Sequence, residues 1–176
     1  MTPEELIKEE QKLEEHKKIY PPFLVEQLRK GREEIRKNLP QSFVKITDFT
    51  QVILTTWVIS SKSYQKNFWA DHRKWWDNYS ETMEIFLSNT EAVLDTSDYA
   101  VEMTLKQREM LQKLYDMMED YEGDPDAADD PGYGINDAEI IEDPKFDKCR
   151  KYARLVYEEL SGDDLDAWEK EKNSGD

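Results

Sequence analysis

The 176-residue chain contains one cysteine, two histidines, six glycines and no apolar run long enough to cross a bilayer. Each shortage removes a class of protein. A single thiol, Cys149, excludes an intrachain disulfide framework and a cysteine-based zinc site. Six Gly and seven Pro are few for the tight turns of an all-β domain of this length. The longest apolar stretch, Val52–Ile59, includes two threonines and falls far short of the ~20 residues that a membrane span needs. The opening Thr2-Pro3-Glu4-Glu5 lacks the basic-then-apolar order of a secretion signal. The expected setting is soluble and reducing, most simply the cytoplasm, with no membrane contact.

Chemical motifs are equally scarce. The glycines, at positions 31, 123, 132, 134, 162 and 175, build no phosphate loop, and Gly132-Tyr133-Gly134 follows no strand, so it reads as a turn. A carboxylate-bridged di-iron bundle needs Glu three residues before His; Leu13 and Trp69 stand there instead. Cys149 falls on the apolar face of an expected helix and reads as a core thiol. No catalytic residue, metal or cofactor is assigned.

Positive charge is missing from one region. The net charge is −16, yet residues 1–47 carry ten bases against nine acids and residues 48–94 four against six. Residues 95–176 carry ten bases and twenty-five acids. Between Asp116 and Asp143 there are twelve acids and no Lys or Arg. Such a surface repels nucleic acid and anionic lipid and attracts basic proteins or cations over about one Debye length, ~8 Å at physiological salt. The bland counterpart is a solvated acidic loop that aids solubility alone.

What the chain does have is helical periodicity. Thr2, Pro3 and Glu5 form a cap, a first-position proline and a capping box for a helix carrying Leu6, Leu13 and Tyr20, read as a peripheral arm over 1–20 and ended by Pro21-Pro22. Leu24, Leu28, Gly31, Ile35 and Leu39 mark a second helix stopped by Pro40, with Gly31 offering close approach to a neighbour. From Asp48, with Gln51 as a second capping box, Phe49, Ile53, Trp57, Ser60, Tyr64, Phe68, His72, Trp75, Tyr79, Met83 and Phe86 recur in steps of three or four. The period, about 3.7, is that of a straight helix. One central helix over about 48–88 is therefore expected. A further helix from about Ser97 to Tyr121 carries Val101, Leu105, Leu111, Leu114, Met118 and Tyr121 on one side. An acidic loop over about 122–143 follows. Asp143-Pro144 then starts a helix with Phe146, Cys149, Ala153, Val156 and Leu160 on its face, and Ser161-Gly162 stops it. Leu165 and Trp168 belong to a last short turn. The expected fold is all-α: an irregular antiparallel bundle in one domain over 1–172, with 173–176 a frayed tail.

Three local chemistries compete with plain core packing. His72 among aromatic rings has the residue type of a tetrapyrrole ligand, but no second axial ligand stands out. Lys62, Lys66, Arg73 and Lys74 alternate with Tyr64, Phe68, Trp69, Trp75 and Trp76, a pattern shared by single-strand nucleic-acid platforms and by amphipathic helices with buried rings. The ring phase and the net charge favour the second. Asp124, Asp126, Asp129, Asp130, Asn136 and Asp137 offer oxygen ligands without EF-hand spacing.

The expected function is non-enzymatic: an acidic inhibitor, immunity or anti-defence type protein that captures a basic, nucleic-acid-binding partner. Its contact residues are Asp116, Glu119, Asp120, Asp124, Asp126, Asp129, Asp130 and Asp137. Direct nucleic-acid binding is not expected, and a homodimer is left open. The alternatives are a helical subunit that uses the Trp-rich helix as interface and, more remotely, a cofactor module around His72.

Overall fold

The computed structural model describes residues 2–36, 44–70, 77–95, 102–127 and 137–174, excepting the side chains of 34–36 and 44–48. All regular structure among these residues is helical: α1 (Pro3–Ile19), α2 (Pro22–Arg36), α3 (Val44–Ser60), α4 (Lys62–Phe68), α5 (Tyr79–Leu94), α6 (Leu105–Glu122), α7 (Asp137–Glu142), α8 (Pro144–Ser161) and α9 (Leu165–Ser174). His72, Trp75, Trp76, Asp129, Asp130 and Gly132 lie outside the described residues.

Several helix ends follow from local sequence. Thr2 accepts from the Glu5 N–H at 3.2 Å while Glu5 accepts from the Thr2 N–H at 2.8 Å, a complete capping box. Asp143 caps α8 by accepting from the Lys145 N–H at 3.0 Å, with Pro144 in the first turn. Gly162 closes the same helix at φ 78°, in the left-handed region where a Cβ is strained.

Four helices form the core. α3 packs against α5 and α8, and α6 packs against the same two, which closes a four-sided bundle. Its interior is lined by Val52, Ile53 and Ile59 of α3, Met83, Phe86 and Val93 of α5, Leu111, Leu114 and Met118 of α6, and Phe146, Ala153 and Val156 of α8. α3 is buried on nearly every side from Val52 to Ser60, because α2 and α4 also pack on it. Its hydroxyls are satisfied within the helix: Thr56 donates to the Val52 carbonyl at 2.7 Å and Ser60 to the Trp57 carbonyl at 2.6 Å.

The single central helix expected over 48–88 is instead three helices. α3 ends at Ser60, and Ser61, at φ −105° and ψ 96°, caps α4 by accepting from the Tyr64 N–H at 3.2 Å. The carbonyls freed at the end of α3 are taken up by a side chain of the next helix. Gln65, fully buried, donates from Nε2 to the carbonyls of Val58 and Ile59, both at 2.8 Å. Its Oε1 in turn accepts from Arg150 Nη2 at 2.9 Å and Nε at 3.3 Å. Arg150, on α8, also donates to the Ile141 carbonyl at 2.9 Å and to Asp147 at 2.8 Å. The chain breaks again between Phe68 and Tyr79, where Asn78 caps α5. α5 then packs beside α3, which one straight helix could not do.

Smaller expectations also change. α3 starts at Val44, so Asp48 and Gln51 lie inside the helix and do not begin it. α6 starts at Leu105 behind a Thr104–Gln107 capping box, and Leu105 is 72% exposed instead of lining the core. A Cβ on Gly31 would meet nothing within 4 Å, so that glycine serves no close approach. The closing turn is the ten-residue helix α9, which continues to Ser174. α1 buries no residue and leaves Leu6 and Ile7 about half exposed, while Ile19 at its end packs against the core.

Candidate protein-binding surface

The acids of the C-terminal half fall into two groups once the chain is folded. One group is consumed by the fold. Asp137, only 1% exposed, does not face solvent; its Oδ2 accepts from the Tyr79 N–H at 3.1 Å and so caps α5 from another helix. Its inclusion among the contact residues is therefore corrected. The expected loop over 122–143 is corrected in part, since Asp137–Glu142 is helical and buries Ile140 and Ile141. Asp124 is half-buried and pairs with Lys145 Nζ at 2.6 Å, which holds its carboxyl below the usual range. Glu142 is likewise lowered by Lys62 at 3.0 Å.

Buried tyrosines use further carboxylates. Tyr64 donates to Asp77 at 2.6 Å, Tyr121 to Asp143 at 2.8 Å and Tyr157 to Asp163 at 2.7 Å, and Tyr79 donates to Glu122. Burial, reinforced by these carboxylates, raises all four phenols. Asp163 also accepts from the Phe23 N–H at 3.0 Å, fixing the start of α2 to the α8–α9 corner.

The second group stays on the surface. α5 and α6 form an antiparallel hairpin: Tyr79 at the start of α5 meets Glu122 at the end of α6, and Arg108 near the start of α6 donates to the Leu94 carbonyl at 3.3 Å. Along one face of α5 the exposed positions Glu81, Glu84, Ser88 and Glu91, continued by Asp95, recur at spacings of three and four. That helix contains no base. On the C-terminal half of α6, Asp116, Glu119 and Asp120 are exposed, followed by Asp126 beyond Gly123. None of these eight carboxylates forms an ion pair among the described residues. Two of the three bases of α6 point elsewhere: Lys106 pairs with Glu159 at 3.2 Å, and Lys113 lies over the Tyr152 ring at 4.6 Å, both on α8, while Arg108 sits at the open end of the hairpin against Leu94. Tyr115, between the two rows, donates to Glu119 at 3.0 Å. Its phenol is raised by desolvation first, and by the charges of Glu119, Glu91 and Asp116, so both helices contribute to one negative field.

Of the expected contact residues, the fold thus brings together Asp116, Glu119, Asp120 and Asp126. It diverts Asp124 and Asp137. The α5 stripe was missed by sequence reasoning, although its acids at helical spacing with no intervening base were visible. The expected single helix drew attention to the aromatic phase instead.

Of the aromatic–basic stretch, the described part packs as an amphipathic segment: Trp69 is fully buried against Tyr79 and Phe146, Tyr64 is buried, and Lys62 and Lys66 turn to Glu142, while His72, Arg73, Lys74, Trp75 and Trp76, like Asp129, Asp130 and Asn136 of the acidic loop, lie outside the described residues. Cys149 is buried, and desolvation pushes its thiol up to about 11. Among the described residues, no group of three or more His, Cys, Asp or Glu could hold a metal, and no helix is long and apolar enough to cross a membrane. No protein-family model, curated protein or solved structure matches the chain.

Proposed function

We propose that the protein is a non-enzymatic binding protein that captures a basic protein partner through the α5–α6 hairpin. The observation that carries this reading is the pair of helix faces with eight exposed carboxylates, none of them in an ion pair among the described residues. Ordinary solvated surfaces intersperse the two signs, and elsewhere this chain does so: Glu26, Arg29 and Glu33 form an i,i+3 and i,i+4 ladder on α2. A rigid scaffold under unpaired carboxylates can occupy a site built for phosphates, which fits an inhibitor, immunity or anti-defence protein acting on a nucleic-acid-binding target. Its field would speed association and make it salt-sensitive. The alternative role as a helical subunit loses part of its interface, because Trp57 and Trp69 are spent inside the fold.

The test begins with partners that co-purify from the native host at low salt. A recovered basic partner is then titrated with wild type and with a variant carrying Glu84→Gln, Glu91→Gln, Asp116→Asn and Asp120→Asn. The variant should melt like wild type, bind more weakly and show a shallower dependence on salt. Unchanged affinity at both low and high salt would end the electrostatic-capture reading.

A further inference from the structure

The end of α1, the α3–α4 junction and α9 enclose a cleft of about 450 Å³. Its walls are aromatic. Trp57 and Tyr64 meet edge-on at 5.2 Å, Tyr64 and Phe68 stack at 4.4 Å, and Trp168 stands 6.4 Å from Trp57. Trp57 and Tyr64 are buried at the base, while Phe68 and Trp168 are half-exposed at the mouth. The volume lies in the range of small-molecule sites, ~300–1,000 Å³, and polar side chains line the rest of the cleft beside the four rings.

The rim sets the sign of the ligand. Lys18 and Lys172 both line the cleft and both are exposed. Lys172 Nζ lies 5.1 Å from the Trp168 ring centre, so its charge is held at the mouth. The one carboxylate in the lining, Glu169, is engaged by Arg154 at 2.8 Å. Within the lining two bases stand against one already engaged carboxylate, a balance that disfavours the quaternary cations that aromatic cages otherwise take. Exposed Ser63, Asn67 and Asn173 add hydrogen-bonding groups at the rim.

We propose that this cleft is a binding site for a small planar aromatic anion, its ring against Phe68 and Trp168 and its anionic group towards Lys18 and Lys172. The site shares no lining residue with α5 or α6, so it stands or falls independently of the protein-capture reading. The anionic group could be the carboxylate of an aromatic acid or the phosphate of a nucleotide; the ring-plus-anion chemistry is common to both.

Four probes separate the cases by calorimetry on the full chain: 2-naphthoate, adenosine monophosphate, the neutral 2-naphthylmethanol and a naphthyl-trimethylammonium cation. At least one of the two anions should bind saturably at one site, and the neutral and cationic compounds should bind about tenfold more weakly or not at all. Preference between naphthoate and the nucleotide assigns the source of the anion. A Lys18→Gln, Lys172→Gln variant, whose changes are on exposed side chains, should keep the wild-type melt and lose about five- to tenfold in anion affinity, the effect of two solvent-screened charges. Equal binding of anion, neutral compound and cation, no saturable binding of either anion, or full affinity in the double lysine variant would overturn the proposal.

Discussion

Replacing Gln65 with Leu tests the reason the central helix breaks. The side chains are similar in size, so packing is largely kept while the amide is removed. Two hydrogen bonds of 2.8 Å to the Val58 and Ile59 carbonyls disappear, leaving the end of α3 without those donors. Arg150, whose side chain is 7% exposed, loses its acceptor at 2.9 and 3.3 Å and keeps only Ile141 and Asp147. At ~1 kcal/mol for each neutral bond and ~1.5–3 kcal/mol for the forked Arg150 contact counted as one bond to a buried charge, the loss comes to about 3.5–5 kcal/mol. Folded domains have ~5–15 kcal/mol in hand, so this is a large fraction of the total. At ~2–4 °C per kcal/mol for a chain of this size, the melting temperature should fall by about 7–20 °C. Urea unfolding followed by circular dichroism at 222 nm, with a thermal melt alongside, measures both. Arg150→Leu and the double variant complete a cycle. Because the two residues share one network, the double variant should cost less than the sum of the singles by ~1 kcal/mol or more. A Gln65→Leu protein within ~0.5 kcal/mol of wild type, or strictly additive singles, would refute the tertiary cap.

Trp57→Ala should cost ~3–5 kcal/mol, the range for truncating a buried large aromatic ring, and unchanged urea unfolding would place that ring outside the core. Asp137→Ala removes a buried cap on the Tyr79 N–H and should cost ~1–2 kcal/mol, whereas Asp116→Ala on the surface should cost under ~0.5 kcal/mol; similar effects in one denaturant series would contradict the division of acids into structural and presented. His16, half-buried with its Nδ1 3.4 Å from Arg32 Nη1, has a pKa held below the ordinary 6.5, first by desolvation and then by Arg32. The unfolded chain therefore takes the proton first, so stability should fall as pH drops through 6.5 and stop falling from this source below the folded-state pKa. His16→Gln should flatten melts compared between pH 7.5 and 5.5; identical slopes for the two proteins would exclude His16 as the titrating group.

Local chemistry was readable from the chain. The Thr2–Glu5 box, the Asp143-Pro144 start and the Gly162 stop all depend on residues within a few positions of one another, so spacing alone specified them. Periodicity likewise identified the all-helical class and the faces of α6 and α8, since a buried stripe must repeat with the helix. It could not say where a helix stops when the stop is made from elsewhere. The phase from Phe49 to Phe86 continues through Ser61 because a helix turning back on itself buries residues at the same spacing as one that runs on. At the break Gln65 donates to the end of α3 and is itself held by Arg150, 85 positions away. The same limit governs the acids. Asp116 and Asp137 look alike in a run without bases, yet one faces water and the other caps α5 from inside. Whether a carboxylate is offered to a partner or absorbed by the fold depends on which N–H or hydroxyl the bundle brings beside it, and that is decided by packing between helices distant in sequence.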